Sequence, residues 1–521
     1  MNEINEPLFL LVDLFCGAGG TTLAFEKSKI NGRKTTKVLA CVNHDKNAIE
    51  SHWLNHPDVK HFEEDIRTLD LTDLIEIVQK ARIQYPNAKL ILWASLECTN
   101  FSNAKGGKPR DADSRTLAWC LPRYIQALGP DSVMIENVVE FMAWGEMDEH
   151  GKPISRDKGT EWWKWKEFIK DQFNYRDEWR KLNSANYGAY TSRNRLFGIF
   201  AKDDFPISFP EPTHSKNLKS NLFHNIQPWK PVREVLDLED EGTSIFDRTK
   251  PLADKTIERI LAGMIKYVAG GDTAFIQNYY SGNPEHKVSS INEVCGTITT
   301  VPHQSLVTVK KSEAAFMMKY MGNNVKTGIN NGKSLDEPCL TITTQNRLSV
   351  VFLKKYYSGA NNHQSIDVPA GTLRTHDSFG LVNCKFLLNP QYQSKGHSID
   401  KPCFTLIARM DKAPPYMVST VAGNPKVQIK PEDSESMKKL KTFMVQYGIE
   451  DVMLRMLKIV ELKRIQGFPA NYQLVGSQAD QKKFIGNSVE PHTVMSWVNS
   501  TAEALLKINQ KSISNQLTIN Q

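Results

Sequence analysis

The chain opens on a near-continuous apolar run, residues 8–15 (LFLLVDLF), that stops at Gly17-Ala18-Gly19-Gly20. A helical stretch from Thr21 to Lys29 follows. A second strand, 38–42, precedes a helix over 45–54. A third, 90–94, ends at Ser95-Leu96-Glu97-Cys98, and a helix over 115–128 leads to the strand 132–135. Strand-length apolar runs alternating with helices predict an α/β fold, a doubly wound and mostly parallel sheet. Ligands of such sheets sit at the carboxyl ends of strands. Asp13, Cys98 and Glu136 each stand at such an end.

Residues 205–231, rich in Pro, Asn, Ser and Lys, read as a linker, and a helix is predicted over about 251–268. The texture then changes to short strand-like pieces carrying an internal repeat. SINEVCGTI (290–298), SLDEPCLTI (334–342), SIDVPAGTL (365–373) and SIDKPCFTL (398–406) share one pattern, each preceded by an aromatic-led strand. A final helical region, 451–466, ends in Gly467-Phe468-Pro469. FIGNSV (484–489) and a closing helix from Pro491 to about Leu506 follow, then a frayed Gln-rich tail. These breaks divide the chain into 1–205, 206–270, 271–440, 441–510 and the tail 511–521.

Length adds that 521 residues suffice for several domains. The charge of +7 allows a nucleic-acid partner without demonstrating one. Residues 271–420 hold fifteen Lys/Arg against ten Asp/Glu, so most of the excess sits in the repeat region. No window reaches the roughly 18 apolar residues of a membrane helix, and the acidic start does not resemble a signal peptide. Eight cysteines without a CxxC pair predict neither a disulfide framework nor a zinc site. No metal is expected, and the expected compartment is the reducing cytoplasm.

The glycine turn after the first strand lets a ligand approach backbone N–H groups, a device shared by dinucleotide and S-adenosylmethionine folds. Cys98, before the basic loop NFSNAKGGKPR (100–110), reads either as a nucleophile with a lowered pKa or as a buried structural cysteine. Glu136 is a helix cap or a functional carboxylate. Arg193 and Arg195, two apart on an extended segment, point the same way, to hold a base or phosphate or to face solvent. The aromatic helix 161–173 fits an ordinary core face better than a stacking platform.

In order and spacing these pieces resemble the DNA (cytosine-5)-methyltransferase family, of the prokaryotic or phage type. DLFCGAGG is similar to its first cofactor motif and ECTNFS to its Pro-Cys-Gln-x-Phe-Ser motif. Glu136-Asn137-Val138 matches Glu-Asn-Val, Arg193 and Arg195 match Gln-x-Arg-x-Arg, and RIQGFP (464–469) and GNSV (486–489) match the closing motifs. The match covers about 1–205 and 450–505. This sequence departs at Glu97 for proline, at Thr99 and Thr191 for glutamine, and at Asn43, with Asp45 two positions on, for the acid ending the second strand.

The resemblance implies a Rossmann-like S-adenosyl-L-methionine-dependent methyltransferase sheet with an inserted β-rich target-recognition domain. It implies a flipped cytosine in double-stranded DNA, a covalent adduct at Cys98, and Glu136, Arg193 and Arg195 as the other catalytic residues. The cofactor residues implied are Asp13, Phe15, Gly17, Gly19, Gly20, Asn43, Asp45, Asp65, Ile66, Asn487 and Ser488. DNA contacts are expected from Lys105, Lys108 and Arg110, and from the repeat tips at Gln304, Gln345, Arg347, Arg374 and Arg409, with His303 and His376 as further candidates. A Glu97 carboxylate beside Cys98 would raise the thiol pKa unless Lys105 or Arg110 pairs with it. A monomer and a cognate restriction endonuclease are also expected. The rival readings are an RNA cytosine methyltransferase, a catalytically weak DNA-binding homologue, and another S-adenosylmethionine enzyme on the same sheet.

Overall fold

The computed structural model describes residues 6–96, 117–145, 159–216, 226–237, 239–265, 428–446 and 449–519, with strand segments between 274 and 422. Seven strands make the first sheet: β1 (Phe9–Leu14), β2 (Thr36–Asn43), β3 (Lys60–Glu63), β4 (Lys89–Ser95), β5 (Ser132–Asn137), β6 (Arg176–Asn183) and β7 (Asn194–Ala201). Their order is β3-β2-β1-β4-β5-β7-β6. The first five run parallel and β7 runs antiparallel to both neighbours. This is the doubly wound fold expected from the alternation. The order reverses at β1, so the crevice where ligands bind opens beyond the ends of β1 and β4.

The near-continuous apolar runs follow from burial of both faces. In β1, Leu10, Val12 and Leu14 face one core with Leu74, Val78, Tyr124 and Trp165, drawn from α3 (Thr72–Gln84), α4 (Leu121–Leu128) and α5 (Thr160–Phe173). Phe9 and Leu11 face the other, with Phe25 from α1 (Gly20–Lys27) and Ile49 from α2 (Lys46–Asn55). The aromatic helix α5 buries Trp162, Trp165 and Ile169 and exposes Trp163, the core face that its spacing predicts.

A second seven-stranded sheet runs Thr243–Ser244, Ile449–Met456, Tyr416–Ala422, Lys385–Asn389, Gln304–Lys311, Ala274–Asn278, Val288–Ser290. α6 (Asp254–Gly263) and α7 (Glu435–Gln446) supply Ile257, Ile260, Leu440 and Met444 to its core. The first three repeat copies each carry one antiparallel three-stranded unit with its leading strand in the middle. The units are Val288–Ser290/Ala274–Asn278/Gln304–Lys311, Lys333–Ser334/Phe316–Lys319/Leu348–Val350 and His363–Gln364/Leu353–Lys355/Phe379–Gly380. The fourth copy differs. Lys385–Asn389 pairs with Tyr416–Ala422, but Cys403–Phe404 leaves to pair in parallel with Thr191–Ser192 of the catalytic segment.

Three sequence expectations change. Residues 449–456 are a strand, not the start of a helix. Val452 and Leu454 alternate into the second core, and the helix α8 (Ile459–Ile465) begins only after Leu457. The linker's first part is core, because Phe205 and Phe209 are buried; Phe209 stacks on Trp497 at 4.9 Å between ring centroids. After α9 (Gln478–Asn487), the closing helix α10 runs Pro491–Ile519, through the segment expected to fray. Trp497 carries α10 across the first sheet, edge-on to Trp93 and Phe197. Among the described residues no helix is long and apolar enough to cross a membrane.

Candidate active site

Behind β1 the chain turns through Phe15, Gly17 and Gly19, all with positive φ (59°, 52° and 99°). A Cβ at Gly17 would meet nothing within 4 Å, so this part of the turn is open to a ligand. Gly19 and Gly20 are closed instead. A Cβ at Gly19 would collide with the Tyr472 hydroxyl and come 3.1 Å from the His52 and His56 rings. At Gly20 it would collide with Ser488 Oγ and lie 2.6 Å from the Val489 carbonyl oxygen. These glycines therefore let the closing segments seat against the turn. The Tyr472 hydroxyl donates to the Ala18 carbonyl at 2.6 Å.

Asp13 is wholly buried. Thr22 Oγ1 donates to its Oδ2 at 3.0 Å, while Oδ1 has no partner. Burial pushes its carboxyl up to about 8, against the Thr22 hydrogen bonds that lower it. An orphaned, buried carboxyl oxygen beside an open glycine turn fits a polar, cationic cofactor such as S-adenosyl-L-methionine.

The other expected cofactor residues divide. Asn43 ends β2 and accepts the Asp45 backbone N–H at 2.9 Å. Asp45 caps α2 by accepting from Ala48 N–H at 3.2 Å and pairs with Lys483 Nζ at 2.7 Å. Lys483 is the pairing that overcomes desolvation and holds this carboxyl below its usual range. Asp65 chelates Arg67 and is lowered to about 2 by that side chain. Ile66 is buried, and its carbonyl accepts from the Tyr124 hydroxyl at 2.8 Å. Asn487 ends α9, and the Ser488 carbonyl accepts from Gln466 Nε2 at 2.9 Å.

Glu136 lies at the end of β5, 7% exposed, with Ser95 of β4 opposite it in register. Asn137 Nδ2 donates to the Leu96 carbonyl at 3.4 Å, tying β5 to the strand end that leads into Cys98. Arg195 Nε stands 3.2 Å from Glu136 Oε1. Arg193 takes a different direction from Arg195. It is 3% exposed and donates from Nη1 to the Gly486 carbonyl at 3.1 Å, so it anchors the GNSV segment. Two residues apart, the arginines serve different neighbours because β7 begins at Asn194, between them.

Cys98, Glu97, Lys105, Lys108, Arg110, Gln345, Arg347, Arg374 and Arg409 lie outside the described residues, as do His303 and His376. Gln304 opens its strand opposite Asn278 and Asn389. Tyr472, His52 and Gln466 escaped the sequence reading. Each acts through a neighbour remote in sequence, which spacing does not reveal.

Residues 9–503 match the family model of C-5 cytosine-specific DNA methylases. Type II methyltransferase M.AgeI of Thalassovita gelatinovora is 26% identical over 255 residues, 46% of this chain and 53% of that protein. M1.HphI of Haemophilus parahaemolyticus is 25% identical over 207 residues, 39% and 49% of the two chains. M.Sau96I of Staphylococcus aureus is 27% identical over 305 residues, 56% and 61%. The chain spans about half the length of these relatives.

Proposed function

We propose, from the premise that this chain belongs to the C-5 cytosine-specific DNA methylase family, that it methylates C5 of cytosine within a specific sequence of double-stranded DNA. The observation that carries the reading is the pair of Glu136 and Arg195 at 3.2 Å, beside the strand end that leads into Cys98. S-adenosyl-L-methionine supplies an electrophilic methyl group at the glycine turn. Cytosine C5 is too weak a nucleophile to take it unaided.

The remaining chemistry falls to side chains. The Cys98 thiolate adds to C6 of a base flipped out of the duplex. Glu136 contacts N3 and the exocyclic amine, favouring the protonated N3 that makes C6 electrophilic. Addition breaks the C5=C6 π bond, and its electron pair, now held in an enamine, makes C5 the nucleophile that takes the methyl group. Arg195 donates to O2, where negative charge grows as the thiolate adds. Loss of the C5 proton and expulsion of the thiolate restore the ring. Arg193 is a positioning residue, fixing the segment that closes over the glycine turn.

Asp13, Phe15, Gly17, Gly19 and Gly20 form the cofactor cradle in this proposal, with Asn43, Asp65, Ile66, Asn487 and Ser488 around it. The loop with Lys105, Lys108 and Arg110 grips the DNA backbone. The repeat region, 271–440, reads the sequence through Gln304, Gln345, Arg347, Arg374 and Arg409. The charge excess of that region supports this role. The relatives named Type II methyltransferases support a cognate restriction endonuclease. The working form is a monomer in the cytoplasm.

Labelled methyl donor, incubated with duplex DNA or RNA and followed by location of the modified base, tests the proposal. 5-Methylcytosine in DNA, lost in Cys98→Ser, is the expected result. Label in RNA alone, or label retained in Cys98→Ser, overturns it.

A further inference from the structure

Beneath the glycine turn, three buried side chains that methyl transfer does not use converge. Cys16 follows β1, Cys41 lies on β2 and His52 on α2, and their donor atoms all lie within 4.8 Å of one another. Cys41 Sγ is 3.7 Å from His52 Nδ1, and His61 Nε2 of β3 is 2.8 Å from the same nitrogen. Cys16 is 6% exposed and Cys41 and His52 are fully buried.

The hydrogen bonds around His52 decide which of its nitrogens carries the proton. Thr22 Oγ1 donates its hydrogen to Asp13, so the same oxygen accepts from His52 Nε2, 3.0 Å away. With Thr22 donating to Asp13, His52 carries its proton on Nε2, and its Nδ1 lone pair faces both His61 Nε2 and Cys41 Sγ. A carboxyl-backed hydroxyl that fixes the tautomer of an imidazole is the outer-shell arrangement of metal-ligating histidines.

We propose that Cys16, Cys41 and His52 form a binding site for a thiophilic divalent cation of the zinc class, with the adjacent His61 as the fourth donor once its side chain turns toward the sulfurs. Two sulfurs and two imidazole nitrogens are the ligand set of tetrahedral zinc. With zinc–sulfur bonds of about 2.3 Å and zinc–nitrogen bonds of about 2.0 Å, the sulfur–nitrogen edge of a tetrahedron is about 3.5 Å. The Cys41–His52 separation of 3.7 Å is within about 0.2 Å of that value. The nitrogen–nitrogen edge is about 3.3 Å on the same geometry, so the half-buried His61, 2.8 Å from His52 Nδ1 and outside the group of mutually close donors, must reorient to join the shell. Two thiolates cancel the charge of the cation, so no net charge is buried.

The four donors come from a turn, two strands and a helix. That is why the chain shows no CxxC spacing. An ion held there ties the glycine turn to β2, α2 and β3 at once, and so sets the order of the turn that cradles the cofactor. Its uptake displaces two thiol protons, so affinity should fall by about a hundredfold per pH unit on acidification.

The site does not rest on the methyl-transfer reading, and its test is independent of it. Full-length protein carrying Cys98→Ser is titrated with cobalt(II). The expected result is one equivalent bound with thiolate-to-cobalt charge-transfer and tetrahedral d–d absorption, displaced by zinc. Affinity should weaken at least about a hundredfold in Cys41→Ala. X-ray absorption of the zinc-loaded chain, without any substitution in the cluster, should find two sulfur neighbours per zinc. A cobalt complex without charge-transfer absorption, a zinc shell of nitrogen and oxygen only, or unchanged affinity in Cys41→Ala overturns the proposal.

Discussion

Replacing Asp13 by asparagine isolates the cost of a carboxyl buried behind the cofactor turn. In the folded chain its pKa is pushed up from 3.8 to about 8, with burial as the dominant cause. A raised pKa means that the folded state holds the proton more tightly than the unfolded one. The contribution of Asp13 is therefore complete below about pH 4 and is lost as pH rises towards 8. One proton is at stake, so the loss accrues at about 1.4 kcal/mol per pH unit inside that window. The amide of Asp13→Asn keeps an oxygen to accept from Thr22 and removes the titration. Urea unfolding of both proteins at pH 5.5, 6.5 and 7.5 provides the comparison, because groups common to both cancel in the difference. Relative to the parent, the variant should gain about 2–3 kcal/mol between the first and last pH. A difference that stays flat within about 0.5 kcal/mol across the series would show that Asp13 is ionised in the folded protein, and the burial argument would fail.

Three further outcomes follow from the geometry. Gly20→Ala places a Cβ against Ser488 Oγ and Val489 O, and should cost about 1–3 kcal/mol of stability; it should also weaken cofactor binding by calorimetry, whereas Gly17→Ala, at a positive-φ but open site, should leave the closing segment seated. Arg195→Ala should lower the methyl-transfer rate about 10²–10³-fold with cofactor affinity retained, as for loss of an oxyanion donor, and an equal loss of cofactor affinity would instead mark a folding defect. Glu461 is buried and accepts from Arg455 at 2.9 Å twice, and from the Lys458 and Asp237 backbone N–H groups at 2.7 Å; Glu461→Ala should destabilise by about 3–5 kcal/mol in urea unfolding, and a change below about 1 kcal/mol would show that the arginine finds water instead.

Much of the first sheet is legible in the sequence because both its faces are buried. A strand such as β1 then reads as an unbroken apolar run, and each site residue follows where such a run stops. Glu136 and Asp13 could be placed for that reason. The strand at 449–456 was hidden because DVMLRMLKIVELKRI carries apolar residues at both spacings: Val452 and Leu454 alternate, while Leu462 and Ile465 repeat with a helical period. Asp45 was ambiguous for a different reason. An acid just past a strand end suits a ribose and a helix N-cap equally, and the Ala48 and Lys483 contacts show the cap and an ion pair that spacing alone does not reveal. The Cys16–Cys41–His52 cluster has no local spacing at all. It exists only once β1, β2 and α2 have been brought together.

The short parallel pairing of Cys403–Phe404 with Thr191–Ser192 bears on how such a chain can diversify. Among the described residues the first three repeat units pair within themselves or with the second sheet, and none of their strands pairs with the segment that carries Arg193 and Arg195. The fourth copy is not free in the same way. Its strand is joined to that segment through main-chain atoms, which any extended residue but proline supplies. Side chains at 403 and 404 can drift, but extended backbone and a free N–H cannot be given up. Recombination that grafts a foreign reader onto this catalytic half should therefore succeed when the junction falls before the fourth copy, and should fail when it falls within it.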